Sequence, residues 1–483
     1  MSTTAPGVLE TASGRQAAGH KKAVAIVYVA AIFLSTMDTT IVNVALPTIG
    51  RDFHVATSSV DSVSISYLVS LAVFVPASGW LGDRFGGRRT LLTAVAVFTA
   101  ASALCGLAGS LGELVFCRIL QGAGGGMLAS VGMAMLLRAY RPAERVRVSA
   151  VLTMAIALAP TCGPVLGGLL VTDLSWRWVF YVNVPIGIFA CVFGGVRLEK
   201  DHDLRGEHFD AAGFLLSAGG LGLAMYGISI GPDRGWGSTP VLAALSAGLV
   251  LLVVMAAVEL RAPAPVLDIR LVRDRLFSAC SASMTLESVA FLGALFILSL
   301  YYQDGRGLSA LGSGLSTAPE ALGVMCGSQL ASRVLYRRLG PRRQLIAGTL
   351  ASSVFMGLLS LPGGAHSLWW MRGDLVLMGL GVGQVFVATQ AAAFATIPAR
   401  STGRASTMFN VGRRLGGALG VAVATTSLVL VGRSARTSGA GADLAAYQVA
   451  FLVAAATNLF ALLPALAVRD EQARSTVPAP RRA

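Results

Sequence analysis

Charge is scarce in this chain. Asp, Glu, Lys and Arg make up 13% of its 483 residues, about half the share found in soluble domains, which excludes a cytosolic enzyme with an ordinary solvated surface. Lysine is nearly absent, with only Lys21, Lys22 and Lys200. A Walker-type phosphate loop must end in Gly-Lys-Ser/Thr, and these lysines precede Lys, Ala and Asp, so the chain carries no ATP motor of that kind and calls for no cofactor. The cysteines, Cys105, Cys117, Cys162, Cys191, Cys280 and Cys326, form no C-x-x-C pair and read as small packing residues in apolar stretches, not as metal ligands. The five histidines, His20, His54, His202, His208 and His366, lie outside the apolar runs. A proton crossing those runs would therefore ride on a carboxylate. The absence of an aspartate metal cluster or a His-based catalytic set tells against an integral membrane enzyme acting on lipids.

What is abundant is hydrophobicity, at 54% of residues. A membrane-crossing helix takes about 20 apolar residues, so fourteen spans of about 22 would use roughly 308 positions and leave about 175 for loops and tails. Apolar runs occur at about 23–46, 60–79, 90–109, 114–137, 148–171 and 179–196; then, after a charged loop at 197–210, at 211–230 and 240–259; then, after a polar stretch at 261–275, at 277–301, 311–335, 344–361, 370–397, 405–431 and 446–468. The pattern is six, two, six. It predicts an all-α integral membrane protein with an N-terminal tail (1–22), a six-helix bundle (23–196), a linker with two additional transmembrane helices (197–276), a second six-helix bundle (277–468) and a C-terminal tail (469–483). The first span is expected to be retained, because no convincing cleavage pattern precedes it.

The net charge of +14 sits in short clusters between apolar runs instead of in a basic domain, which speaks for membrane topology and against nucleic acid. With the N-terminus inside, 28 of the 38 basic residues fall in tails and cytoplasmic loops, seven in external loops (Arg51, Arg177, Arg234, Arg306, Arg372, Arg433, Arg436) and three within spans. This bias predicts both termini in the cytoplasm and an even number of spans, twelve if the middle pair is re-entrant. The 35 arginines beside abundant Ala and Gly point to a GC-rich bacterial gene.

The outer groups resemble each other. Arg84-Phe-Gly-Gly-Arg-Arg89 returns as Arg338-Leu-Gly-Pro-Arg-Arg343, Gly163-Pro-Val-Leu-Gly-Gly168 as Gly412-Arg-Arg-Leu-Gly-Gly417, and Gly122, Gly124 and Gly126 as Gly379, Gly381 and Gly383, at offsets of 254, 249 and 257. Paired bundles of this kind, with a site near the midplane, are the architecture of secondary transporters.

Charged side chains well inside spans are Asp38, Arg118, Glu287, Glu320, Arg413 and Arg414. Each costs about 2.5–3.5 kcal/mol on insertion scales, so such residues face a cavity or a partner. Asp38, two thirds along the first span, is the first candidate for proton coupling, since a nearby cation or substrate tunes a desolvated carboxyl group. Glu287 stands opposite in the repeat. Glu320 follows Pro319 and is expected nearer a helix end, within reach of water. Arg118, a fixed charge, can hold a carboxylate ionised; the alternative is an ion pair that only locks packing. Its repeat counterpart, Leu375, lacks the charge, which assigns proton handling mainly to the first bundle. The loop with Gly79, Asp83, Arg84, Gly86, Arg88 and Arg89 suits a cytoplasmic gate, where topogenic charge accounts for Arg88 and Arg89 but not for Asp83. Gly163, Pro164, Gly167 and Gly168 suit a hinge or a tight helix contact.

These motifs resemble the major facilitator superfamily, and within it the 14-helix drug:proton antiporter branch, over residues 23–468. Gly79, Leu81, Asp83, Arg84 and Gly86 are similar to the superfamily's loop signature, and Arg118, Gln121, Gly122 and Gly124 to its helix-four motif. The Gly163–Gly168 segment resembles the helix-five antiporter motif, and the segments at Asp38 and at Trp176-Arg-Trp-Val-Phe-Tyr-Val-Asn-Val-Pro-Ile-Gly187 resemble features of the 14-helix branch. The resemblance implies two pseudo-symmetric six-helix bundles plus two central helices. It also implies export of a hydrophobic or cationic drug or antibiotic in exchange for protons, from the bacterial cytoplasmic membrane and by a monomer. It gives Arg118 a part in proton transfer and the Pro164 region a part in closing leaks. The chain departs from the pattern at Ala150 and Ala159, where glycine is usual, at Gly87, where a basic residue is usual, and at Arg414, where glutamine is frequent. Arg414 adds a second intramembrane cation and tells against a cationic cargo. The rival expectation is a proton-coupled importer of a small metabolite on the same fold.

Overall fold

Long apolar runs leave the backbone one way to satisfy its polar groups in hydrocarbon, and the chain takes it, as helices joined by short turns. The computed structural model describes the backbone of residues 6–199, 209–263, 265–361, 368–438 and 442–477, and their side chains except at 6–18, 57–58, 310, 432–438 and 442–443. The first group is α1 (Pro6–Asp52), α2 (Thr57–Phe74), α3 (Ala77–Phe85), α4 (Gly87–Leu107), α5 (Leu111–Ala139), α6 (Pro142–Asp173), α7 (Trp178–Tyr181) and α8 (Asn183–Arg197). Next come α9 (Ala211–Arg234) and α10 (Thr239–Glu259). The second group is α11 (Arg275–Leu300), α12 (Ala310–Leu330), α13 (Tyr336–Leu358), α14 (Leu368–Ala392), α15 (Thr402–Ser438), α16 (Ala442–Leu459) and α17 (Leu462–Ala467).

Among the described residues, eleven helical segments are long and apolar enough to cross a membrane, and the pair Ser59–Phe74 and Ala77–Phe85, bent by 53°, makes a twelfth if it is one span. α12, which carries Glu320, and α13, which opens on the basic run 337–343, are not among them. Length and composition thus support eleven or twelve of the fourteen expected crossings. The helix α1 also starts well before residue 23, so most of the polar tail continues the first helix instead of standing apart from it. Most of the 197–210 loop, at 200–208, and the tail residues 1–5 and 478–483 lie outside the described residues, as do the side chains of Arg433 and Arg436.

The internal repeat is visible in backbone geometry. Gly86 and Gly340, at matching places in the two basic loops, have φ of 88° and 76°, a conformation that only glycine adopts without strain. On α5, Gly122 and Gly126 press against the α2 backbone at Tyr67 and Leu71, while Gly124 presses against α4 at Ala94 and Phe98. Their counterparts on α14 behave alike: Gly379 and Gly383 press against α12 at Glu320 and Val324, and Gly381 against α13 at Gly348 and Ser352. The third pair agrees, with Gly163 and Gly167 of α6 seated on α1 at Thr40 and Ile41, and Gly412 and Gly416 of α15 seated on α11 at Thr285. The small residues let each helix pair approach closely, which is what drives helix association in lipid.

The two additional helices pack on each other, and α9 also packs on α2 and α15. There Leu221 and Met225 meet Ala72 of the first bundle and Val411 and Leu415 of the second, so the extra pair covers the seam between the bundles.

Candidate functional site

Asp38 is fully buried on α1, and four helices converge on it. One terminal guanidinium nitrogen of Arg118, on α5, lies 2.5 Å from its Oδ2. Gln121 Nε2, one helical turn further along α5, donates to Oδ1 at 2.9 Å, and Asn183 Nδ2, at the start of α8, donates to the same oxygen at 3.0 Å. Ser102 Oγ on α4 accepts from both amides at 3.2 Å and donates to the Phe180 carbonyl at 2.9 Å. Arg118 also donates to Gln121 Oε1 at 2.7 Å and, through Nε, to the Val63 carbonyl at 3.2 Å. Its guanidinium lies 4.0 Å from the centre of the Tyr67 ring, a cation–π contact that further offsets lost hydration. Both carboxylate oxygens are therefore bonded at a buried site, and among the described residues Asn183 Oδ1 is left without a partner. Removing the charge on either partner would leave the other uncompensated.

The 176–187 segment completes this network. Trp176 Nε1 donates to Asp52 at 2.8 Å and the Arg177 guanidinium to the same oxygen at 3.2 Å, which ties the segment to the end of α1. Tyr181 covers Gly106, and Gly187 lets α8 seat against Thr99, both on α4. With both ends held, Asn183 is aimed at Asp38. Asn183 and Ser102 were not anticipated as site residues. The signal available was the Asn inside the quoted segment, a costly amide in an apolar run.

Glu287 lies on α11 with no exposed surface. It sits beside Ser352 of α13 and Asn458 of α16, which bond each other, Asn458 Nδ2 donating to Ser352 Oγ at 2.7 Å. Among the described residues neither carboxyl oxygen of Glu287 has a hydrogen-bond partner within normal geometry, and no cation pairs with it. The expected position of Glu320 near a water-accessible end is corrected: it stands halfway along α12 with no exposed surface and, among the described residues, no partner for either oxygen. The reason is packing, because Gly379 and Gly383 bring α14 directly onto the α12 backbone there. Asp374, on α14, is a further buried carboxylate that sequence reasoning missed beside Leu375.

The loop residues occupy the end of the molecule that carries the 84–89 run, called here the basic end. Asp83 is buried and pairs with Arg138 of α5 at 2.6 Å, not with the loop arginines. Arg84 and Arg89 are exposed, while Arg88 donates to the Gly195 carbonyl at the end of α8 at 2.6 Å. Gly87 leaves room for Met135, which accounts for the missing basic side chain. Asp83 also lies next to Gly403 in the first turn of α15, where the helix dipole favours an anion. Around it the bundles touch: Gly79 abuts Gly403 and Thr407, Ser78 and Thr407 hydroxyls lie 3.2 Å apart, and Ser406 donates to the Ser130 carbonyl at 2.7 Å. Arg145 adds a donation to the Phe394 carbonyl at 3.1 Å. On α6, which stays one helix through Pro160 and Pro164, Pro164 and Val165 face Gly314 of α12, and Gly168 lies near Leu311. The 163–168 segment thus contacts α1 on one face and the opposite bundle on the other.

Comparison with known proteins agrees with this architecture. The family described as Major Facilitator Superfamily matches residues 28–421. The chain is 33% identical to a multidrug resistance protein B homolog of Mycobacterium tuberculosis over 83% of this chain and 75% of that one. It is 32% identical to the tetracenomycin C resistance and export protein of Streptomyces glaucescens over 81% and 73%. In shape it is similar to the crystal structure of the human organic anion transporter MFSD10, with a TM-score of 0.65 at 16% identity, over 92% of this chain and 99% of that one. With the family match spanning most of its length, the chain belongs to the Major Facilitator Superfamily of multi-pass membrane transporters and is not an enzyme.

Proposed function

We propose that this protein exports a hydrophobic toxic compound across the bacterial cytoplasmic membrane in exchange for protons, by alternating access, as a monomer with both termini in the cytoplasm. The names of the relatives, multidrug resistance and tetracenomycin C export, support efflux. The observation that carries the coupling is the buried Asp38–Arg118 pair with its Gln121 and Asn183 donors. Protonation of Asp38 cancels its attraction to Arg118 and loosens α1 from α5 and α8. Ionisation restores the tie. A proton moving down about 150 mV releases roughly 3.5 kcal/mol, enough for a few-hundred-fold gradient of a neutral solute.

In this reading residues 23–196 and 277–468 are the rocking halves and 197–276 carries the two helices at their seam. Glu287 and Glu320, buried without counter-charge, assist Asp38. Asp83, held by Arg138 against α15, is the gate at the basic end, with Gly79, Gly86 and Arg88 shaping the turn and Arg84 and Arg89 serving topology. Gly163, Pro164, Gly167 and Gly168 keep α6 close to α1 and α12 and so limit leaks. Of the two expected cargo types the hydrophobic one fits; Arg413 and Arg414 at the inner face oppose a cation. The test is susceptibility profiling of a sensitive host with and without the gene, followed by efflux in proteoliposomes under an imposed pH gradient. Protection with gradient-dependent efflux is expected. Uptake of the compound in cells carrying the gene would overturn the reading in favour of import.

A further inference from the structure

Arg413 and Arg414 replace Pro164 and Val165 of the first half at the repeat-related place. About 12 residues into α15, at 1.5 Å per residue, they lie roughly 18 Å from its start, close to the middle of a bilayer core about 30 Å thick. Arg414 crosses the seam between the bundles: its terminal nitrogen donates to Ser35 Oγ on α1 at 3.0 Å. Among the described residues Arg413 reaches only Asn410 of its own helix, at 3.4 Å. The phenols Tyr28 and Tyr67 are near enough to act electrostatically on the pair. Among the described residues neither arginine forms an ion pair, and the inaccessible Nε of Arg414 has no acceptor.

Both side chains are part-exposed, so they face an opening, and two adjacent guanidinium groups near the midplane with no carboxylate among the described residues favour an anion there. We propose that Arg413 and Arg414 form the cargo site and that it takes an organic acid, a compound carrying a carboxylate or acidic phenol on an apolar body. The guanidinium fork matches a carboxylate bidentately. The site also touches the proton switch. Ser35, which Arg414 holds, lies 3.4 Å from the Tyr67 hydroxyl, that hydroxyl donates to the Ser35 carbonyl at 3.2 Å, and the same ring lies under Arg118. An acid that takes Arg414 away from Ser35 therefore disturbs the ring against which the Asp38–Arg118 pair is packed.

The inference names the cargo of the transport reading and rests on it for its meaning, yet binding tests it alone. Fluorescein, an anionic xanthene, and rhodamine 123, its cationic counterpart, are titrated by anisotropy with the purified full chain. Saturable fluorescein binding is expected, weaker by about tenfold or more in Arg414→Gln, as for loss of a charged hydrogen bond, with rhodamine 123 binding strengthened by the same change. Absence of fluorescein binding, a preference for rhodamine 123, or unchanged fluorescein affinity in a variant with the wild-type Tm overturns the proposal. If Arg414→Gln does not fold, Arg414→Lys decides: it keeps the charge but loses the fork, and an unchanged fluorescein affinity overturns the proposal. Binding kept in phosphatidylcholine nanodiscs but lost in phosphatidylglycerol nanodiscs would assign the anion to a lipid headgroup and likewise overturn it. Fluorescein bound but not exported under a pH gradient would remove the transport reading and leave the acid site standing. Proton-driven efflux of rhodamine 123 without fluorescein binding would do the reverse.

Discussion

Asp38 and Glu287 stand 249 residues apart at the same place in the two halves of the molecule, and among the described residues only Asp38 has a cation. Their surroundings match in kind. Asp38 has Ser102 and Asn183 beside it, and Glu287 has Ser352 and Asn458, with a serine on the third span of each half and an asparagine on the last. Arg118 is replaced by Leu375 and Gln121 by Met378 at their common offset of 257. One half thus holds a neutralised, fully bonded carboxylate, while the other holds a carboxyl group with nothing to balance its charge.

The Asp38–Arg118 pair should behave as one unit in stability. Asp38→Asn and Arg118→Gln each leave a buried partner exposed to desolvation without compensation, at about 3–5 kcal/mol. The double variant should cost less than the two singles together, with a coupling of about 0.5–3 kcal/mol. Thermal unfolding of the four proteins in detergent measures this, and additive losses would show that the pair is not coupled.

Glu287→Gln should act oppositely. It replaces a buried carboxyl group that has no cation beside it among the described residues, so Tm should stay level or rise while proton-driven efflux falls. A lower Tm with unchanged efflux would make Glu287 a packing residue.

Asn183→Ala should lower stability by about 1–3 kcal/mol, since it takes a donor from Asp38 and from Ser102, and it should reduce efflux more than Ser102→Ala, which leaves Asp38 with its three donors. Parallel efflux and unfolding measurements on both variants check the ranking.

At the basic end, Asp83→Asn breaks the contact with Arg138. Because the Arg138 side chain is 36% exposed, the stability change should be no more than about 1 kcal/mol. The effect should appear instead in access: a cysteine at Ser130, in a background without the native cysteines, should label faster from that side.

Gly86→Ala and Gly340→Ala should each cost about 1–3 kcal/mol through a backbone conformation closed to alanine, whereas Gly112→Ala, with open space around its Cα, should be near neutral. Melting curves separate these cases.

Much of this was legible in residue order alone. Asp38, Arg118 and Glu287 stood out because charge in an apolar run is expensive, and the repeat stood out because close helix contact keeps glycines at fixed spacing. The partners were not legible. Asn183 reaches Asp38, and Ser102 reaches the two amides that bond it, only through the tertiary arrangement of four helices, and Arg138 reaches Asp83 from α5 across 55 residues of chain. The misjudged exposure of Glu320 has the same origin: its distance from a helix end was guessed from Pro319, while its burial is decided by two glycines on α14.

The central claim is that Asp38 exchanges a proton for cargo. Proteoliposomes containing wild type or Asp38→Asn, loaded with an exported compound found by susceptibility profiling, test it in one comparison. The account predicts that the variant still exchanges compound across the membrane at equal concentrations but no longer moves it uphill when a pH gradient is imposed. Uphill efflux by Asp38→Asn, with proton uptake per molecule exported equal to that of wild type, would contradict it.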